Sequence, residues 1–327
     1  MHCGMNDVPN QFRSGEGDRP IDGGQPSESA RIAYMTLALV MLLWSGNSIV
    51  GRAVRDDIGP LTLAFVRWLG ASLILLPFAW RHVARDRAVL LASWKIVLML
   101  ALFGVAAFNA LLYSGLHYTS ATNGLLLQAA IPAGVLLADR LIFGQRAPLW
   151  QKIGVLLSTL GVVIVVAKAD IGLLAKLHLG IGDVLVLGGV VVWSLYTSLL
   201  RLKPLVHPLS LLLVTFGIAA LCMAPLAAGE WLAGNRPRPG PGLYAACAYV
   251  AIFPSILAYL MFNAAVGRIG AGRAGQTISL MPLFGSLLAA ALLGEQIHAY
   301  HLAGMALILG GIALSIVAGR LQPPRGP

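Results

Sequence analysis

Arg67 is the one ionisable residue that falls clearly inside an apolar run of this chain. It stands seven residues after Pro60, about 10 Å along a helix at 1.5 Å per residue. A charge at that depth costs about 3 kcal/mol on insertion scales, and such residues usually face a cavity. The spacing therefore suggests a cation that receives a substrate carboxylate or phosphate. The other use is an arginine held by the carbonyls of a neighbouring helix, or one reaching to the interface. Around it the informative residues are uncharged. Trp44, Asn47 and Ser48 share one helical face at i, i+3 and i+4, and a shift of 149 places Trp193, Tyr196 and Thr197 on their positions. Asn109 and Tyr113 match Tyr259 and Asn263 at a shift of 150. Amides and aromatics on matched faces suit a small polar ligand in a largely apolar pocket. The competing use is hydrogen bonding between helices.

These matches belong to a repeat that runs through the chain. From Thr119 the sequence reads TSATNGLLLQAAIPAGVLLADRLIFGQ, and from Ile269 it reads IGAGRAGQTISLMPLFGSLLAAALLGEQ. A shift of 150 superposes Ala121 on Ala271, Pro132 on Pro282, Gly154 on Gly304 and Gly161 on Gly311. Upstream, Pro60, Val66 and Pro77 meet Pro208, Val214 and Pro225 at a shift of 148.

With 58% hydrophobic and 11% charged residues and a mean hydropathy of +0.80, the chain has too little polar surface for a soluble domain. Ten apolar runs are long enough to cross a bilayer of about 30 Å: 32–53, 60–80, 95–115, 119–141, 149–168, 181–200, 207–228, 243–266, 272–293 and 299–319. Without period-two alternation they are helices and not barrel strands. The expected fold is an all-α membrane protein of ten transmembrane helices, as two five-helix repeats over 32–168 and 181–319. Residues 1–31 form a disordered tail, and 320–327 a second short one. Five spans per repeat is an odd number, so the halves are inverted, with the site between them near the midplane. Of the 23 Lys and Arg, 16 lie on the side of the amino terminus and 6 opposite, with Arg67 between. The positive-inside rule then puts both termini in the cytoplasm, and the net charge of +10 needs no nucleic-acid partner.

Pro132 and Pro282 have no N–H to give the carbonyls of Gln128 and Ile278. A hinge at this duplicated pair is expected, and Gly154, Gly161, Gly285 and Ala289 are read as small residues for close helix packing. Asp139 and Asp183 lie at span ends, where solvation or helix capping suits them.

The segments LLWSGNSIVGRAV, FNALLYSGLHYTSATNGLLLQAAIP and the LLGE after span nine resemble the EamA family of the drug/metabolite transporter superfamily, over about residues 32–319. The resemblance implies ten helices, cytoplasmic termini and export or exchange of amino acids and related metabolites through a central cavity. It sets Trp44, Asn47, Arg67, Asn109, Trp193 and Tyr259 on helices that line the pathway. The small multidrug branch uses a glutamate in its first helix, whereas residues 32–53 contain no acid. Cationic drugs are therefore expected to be poor substrates, and proton coupling to be weak or to use Asp183.

The function expected is a secondary transporter in the cytoplasmic membrane that works as a monomer, without cofactor or metal, on a small-molecule metabolite. The alternatives are a membrane-embedded enzyme or a non-transporting scaffold. An enzyme needs a nucleophile–base pair or a carboxylate pair, yet His117, His207, His298 and His301 lie at span ends without a carboxylate pattern. No nucleotide-binding glycine loop is present, and a scaffold would lack a soluble domain to signal through.

Overall fold

The structure is a computed structural model that describes residues 28–119, 127–166, 180–293 and 298–320; the expected amino-terminal tail up to residue 27 and residues 321–327 lie outside them. In chain order the helical stretches are α1 Glu28–Ala53, α2 Pro60–Ala92, α3 Trp94–Tyr118, α4 Ile131–Phe143 and α5 Leu149–Val166. The second half gives α6 Ile181–Leu199, α7 Pro208–Leu232, α8 Pro241–Ile269, α9 Ala271–Leu293 and α10 Ala299–Arg320. No strand occurs among the described residues. Seven of these helices (α1, α2, α3, α6, α7, α8 and α10) are long and apolar enough to cross a membrane, and α5 is a shorter apolar helix. The chain is a multi-pass membrane protein.

Local sequence explains the boundaries. α2, α7 and α8 each begin on a proline, whose missing N–H is harmless in the first turn and whose fixed φ suits a helix. Gly144 ends α4 with φ +66, a left-handed conformation that favours glycine. α2 continues to Ala92, twelve residues beyond the expected 80, because nothing in RHVARDRAVLLA breaks a helix and the turn arrives only at Ser93. α1 begins at Glu28, inside the stretch expected to be tail.

The two central prolines are a partial correction. Neither interrupts a continuous helix at its middle. Pro132 occupies the first turn of α4, after a turn at Ala129–Ala130. In α9 the order is an α-turn over Ala271–Gln276, a 3-10 turn over Thr277–Leu280, and then Met281–Leu293 with Pro282 as its second residue. The chain bends before each proline, where a missing N–H costs little. The breaks at 127–130 and 277–280 are themselves related by the shift of 150.

The helices pair in a pattern that exchange of the two halves maps onto itself. α5 packs on α10 and α2 on α7, α3 on α6 matches α8 on α1, and α4 on α6 matches α9 on α1. α5 runs antiparallel to its equivalent α10 and α2 to α7, whereas α4 and α6 run parallel, Ile131 and Asp139 meeting Ser194 and Ser198 in order. A Cβ on Gly154 would lie 2.5 Å from Gly311 O and one on Gly161 2.6 Å from Gly304 O, so α5 and α10 touch backbone to backbone. Gly154 and Gly161 thus serve close packing as expected, but Gly285 faces open space. The side chain of Ala289 lies outside the described residues.

α2 and α7 cap each other. Glu230, late in α7, accepts from Leu61 N at 3.0 Å, Thr62 N at 2.7 Å and Thr62 Oγ1 at 2.7 Å. Asp86, late in α2, accepts from His207 N at 2.9 Å and Ser210 Oγ at 2.6 Å at the start of α7. Each carboxylate serves the orphan N–H groups and the positive pole of the partner helix. Glu230→Ala should destabilise the protein by about 1–2 kcal/mol, the worth of a lost N-cap, and lower the melting temperature in detergent. An unchanged melting temperature would mean that water replaces the cap at no cost.

Candidate functional site

Arg67 projects from the second turn of α2 and is 2% exposed. Its Nε donates to Ser255 Oγ at 2.6 Å. Nη1 lies 3.3 Å from Asn47 Oδ1, 3.2 Å from Asn109 Oδ1 and 2.9 Å from Tyr113 Oη, and Nη2 donates to Pro254 O at 3.1 Å. The guanidinium also stands 4.5 Å from the Trp68 ring centroid. All of these partners are neutral. The ion pairs among the described residues, Arg55 with Asp56 and Arg201 with Asp139, leave Arg67 without a carboxylate. Its N–H groups are largely satisfied, but its charge is balanced by dipoles alone.

Two π-helical turns supply part of that seat. One spans Ala101–Ala107 in α3 and the other Ile252–Leu257 in α8, again 150 residues apart. Each wide turn misaligns the backbone ladder and presents a carbonyl to side chains. Pro254 O accepts from Arg67 and from Trp44 Nε1, the latter at 3.0 Å. Gly104 O, its repeat partner, accepts from Tyr259 Oη at 2.5 Å. Glycine is required at 104 because the Tyr196 ring fills the space a Cβ would take. Ser255 Oγ donates to Val250 O at 2.7 Å, five residues back, which fixes the oxygen that Arg67 uses.

Beside this seat lies a cavity walled by Trp44, Asn47, Arg67, Phe108, Asn109, Leu112, Gln128, Ile131, Trp193, Tyr259, Ile278 and Met281. Trp44 and Trp193, equivalent in the repeat, meet edge to face with centroids 5.1 Å apart. The room left for water centres is about 30 Å³, enough for two or three waters at about 10–15 Å³ each. The Trp193 Nε1 is buried in its wall with no hydrogen-bond partner.

Of the residues expected to line a site, Trp44, Asn47, Arg67, Asn109, Trp193 and Tyr259 are in the wall. Tyr113 lies behind it, bonded to Asn47 Nδ2 at 3.1 Å and to Arg67. Tyr196 and Asn263 form a second pair, Tyr196 Oη donating to Asn263 Oδ1 at 2.7 Å. That pair is the repeat image of Asn47 with Tyr113, residue types exchanged, and Thr215 stands where the first half has Arg67. Lys203 Nζ donates to Asn263 O at 3.1 Å, and burial draws its ammonium below the ordinary range. Thr197 is buried with its hydroxyl unpaired, away from the wall. The side chain of Ser48 lies outside the described residues. Pro132 and Pro282 are not in the wall, although the breaks before them contribute Gln128 and Ile278 to it.

Ser45 and Ser194 tie those breaks to the cavity helices. Ser45 Oγ lies 2.9 Å from Met281 O, and Ser194 Oγ lies 3.4 Å from Ile131 O, so each contact joins one half to the other. The two serines match at the same shift of 149 as Trp44 and Trp193, but the carbonyls they meet are not legible in the sequence. Pro254 and Ser255 were missed as well. A proline in the middle of an apolar run was the available signal, since it marks a carbonyl without its usual donor. Asp183 bonds Gly180 N at 2.9 Å and Thr119 Oγ1 at 2.6 Å, and Asp139 bonds Ser198 and Arg201, so both carboxylates serve helix ends. No group of His, Cys, Asp or Glu able to hold a metal occurs among the described residues.

Relatives give this geometry a context. A transporter of Archaeoglobus fulgidus is 30% identical over 285 residues, covering 86% of this chain and 96% of its own. The Bacillus subtilis transporter YyaM is 28% identical over 216 residues, 66% of this chain and 70% of its own. A probable amino-acid metabolite efflux pump of Salmonella typhimurium is 25% identical over 297 residues, 87% and 94% of the two chains. A solved crystal structure superposes with a TM-score of 0.69 at 19% identity, over 91% of this chain and 100% of its own, a likeness of fold alone. The model of the EamA-like transporter family matches residues 31–167 and again 180–317, and the chain belongs to that family.

Proposed function

We propose that the protein is a secondary transporter that exports or exchanges small metabolites bearing a carboxylate, such as amino acids or organic acids, across the cytoplasmic membrane. The observation that carries this reading is a buried guanidinium with no carboxylate partner among the described residues, set in the wall of a cavity. A substrate carboxylate would supply the missing counter-charge, and bidentate recognition of that group is what arginine does best. The name of the Salmonella relative, a probable amino-acid metabolite efflux pump, agrees with this class.

The mechanism proposed is alternating access. Ten spans form two inverted five-helix halves with both termini cytoplasmic, and one chain carries the whole pathway. The exchange-symmetric pairing, in which the equivalent helices α2 and α7, and α5 and α10, run antiparallel, supports the inversion, and the excess of Lys and Arg on one side supports the orientation. With about 30 Å³ of room, the cavity must widen before a metabolite fits. Asn47 with Tyr113 at one end and Tyr196 with Asn263 at the other are the matched polar pairs that would part in turn. The breaks before Pro132 and Pro282 are the bending points.

Counterflow into proteoliposomes against a panel of amino acids and organic acids tests the proposal. Accumulation of an unaltered carboxylate substrate is expected; conversion to product, or no flux for any of them, contradicts it. Trp193→Phe keeps the ring contacts but removes the unpaired Nε1. It should raise KM by about fivefold, one hydrogen bond of about 1 kcal/mol. An unchanged KM would place that N–H outside the binding step. Pro132→Ala with Pro282→Ala should slow exchange while leaving substrate binding intact, and unchanged exchange kinetics would remove the prolines from the hinge.

A further inference from the structure

A second site lies on the lateral face of the molecule, between α4 and α5. It is a groove of about 420 Å³, within the range of ligand sites. Its floor is apolar, from Leu136, Leu137, Val155 and Leu156, and its rim carries Arg140, Arg146 and Lys152. Leu137 is 56% and Leu156 68% exposed, so the floor continues the face that a multi-pass protein turns to hydrocarbon. The left-handed turn at Gly144 creates the rim. Its N–H bonds back to Arg140 O at 3.0 Å and that of Gln145 to Asp139 O at 3.2 Å, so the chain reverses and carries Arg146 and Lys152 to the mouth that Arg140 lines. No acidic residue lines the groove, and none of the three cations forms an ion pair with a carboxylate among the described residues. The first turn of α5 also lacks an acid, so its positive pole adds to the same field.

We propose that this groove holds an anionic phospholipid, its phosphate between Arg140, Arg146 and Lys152 and an acyl chain along the α4–α5 floor. The occupant is argued from charge and position together. A soluble phosphate would have no use for the apolar floor, and a neutral lipid none for three unpaired cations. At a shift of 150 the second half carries Ala290, Gln296 and Leu302, so the site belongs to one half only. On the orientation proposed above it faces the cytoplasmic leaflet, but lipid binding does not depend on what the central cavity transports.

The test is native mass spectrometry of the full chain released from nanodiscs of phosphatidylcholine and phosphatidylglycerol in equal amounts. The wild type should retain a phosphatidylglycerol adduct. The variant Arg140→Gln/Arg146→Gln/Lys152→Gln should bind about a hundredfold more weakly, from about a fivefold loss for each cation removed near the surface. A control with the same loss of charge, Arg81→Gln/Arg85→Gln/Arg87→Gln, should keep the adduct. Melting temperature in detergent verifies that both variants fold, and Leu137→Trp, which fills the floor without altering charge, gives a second route to the same loss. Equal retention by both triple variants, no loss with Leu137→Trp, or no preference for phosphatidylglycerol over phosphatidylcholine would overturn the proposal.

Discussion

Arg67→Ala is expected to lower uptake efficiency for carboxylate substrates by about a hundredfold, equivalent to about 3 kcal/mol. The variant loses the one cation that the described residues place in the cavity wall and leaves Asn47, Asn109, Tyr113 and Ser255 facing the vacated space. Arg67→Lys keeps the charge but not the planar fork that reaches acceptors on α1, α3 and α8 at once, so it should recover only part of the activity. Initial-rate uptake into proteoliposomes, normalised to the amount of correctly inserted protein, measures both. The structural alternative also predicts lost activity, since an arginine with five neutral acceptors organises four helices. The distinction lies in substrate dependence: a purely structural arginine would affect acids and their uncharged analogues alike.

Gly311→Ala carries the second large effect, and it concerns stability. A Cβ there would press on the backbone oxygen of Gly154 and on Ser158 Oγ and lie 2.8 Å from Ser158 N, and the two backbone atoms cannot turn aside. The α5–α10 contact must then open, at about 1–3 kcal/mol for overpacking. Gln276, which donates to Gly311 O at 3.0 Å and Ser158 Oγ at 3.2 Å, ties α9 to the same contact. The neighbouring Gly310 has nothing within 4 Å of its Cβ position, so Gly310→Ala should be neutral or stabilising. Melting temperatures of the two variants in detergent should differ by several degrees; equal values would mean that the helices are not in backbone contact.

Much of this was legible in the sequence because membrane insertion restricts it so strongly. Apolar runs marked the helices, and the repeat, at a shift of 149 here, paired residues that the structure sets in equivalent places, such as Trp44 with Trp193 and Ser45 with Ser194. Arg67 stood out because a charge within an apolar run has few neutral explanations. Backbone irregularity was hidden. The π-turns over Ala101–Ala107 and Ile252–Leu257 leave no mark in hydropathy, although Pro254 hinted at the second. Likewise the prolines at 132 and 282 suggested breaks within helices, whereas the chain bends just ahead of them. Hydropathy reports the length of a run, not whether its hydrogen-bond ladder is continuous. The apolar part of the cavity wall, including Phe108, Ile131 and Met281, could not be told from ordinary core by residue type.

The central claim is that Arg67 receives a carboxylate inside the cavity. Its most direct test pairs one transported acid with its carboxamide, and the wild type with Arg67→Ala, in a single set of proteoliposome uptake measurements. The wild type should prefer the acid by at least about tenfold, and the variant should lose that preference, leaving acid and amide nearly equal. The same preference in both proteins would show that the carboxylate is recognised elsewhere and that Arg67 is a structural tie between helices.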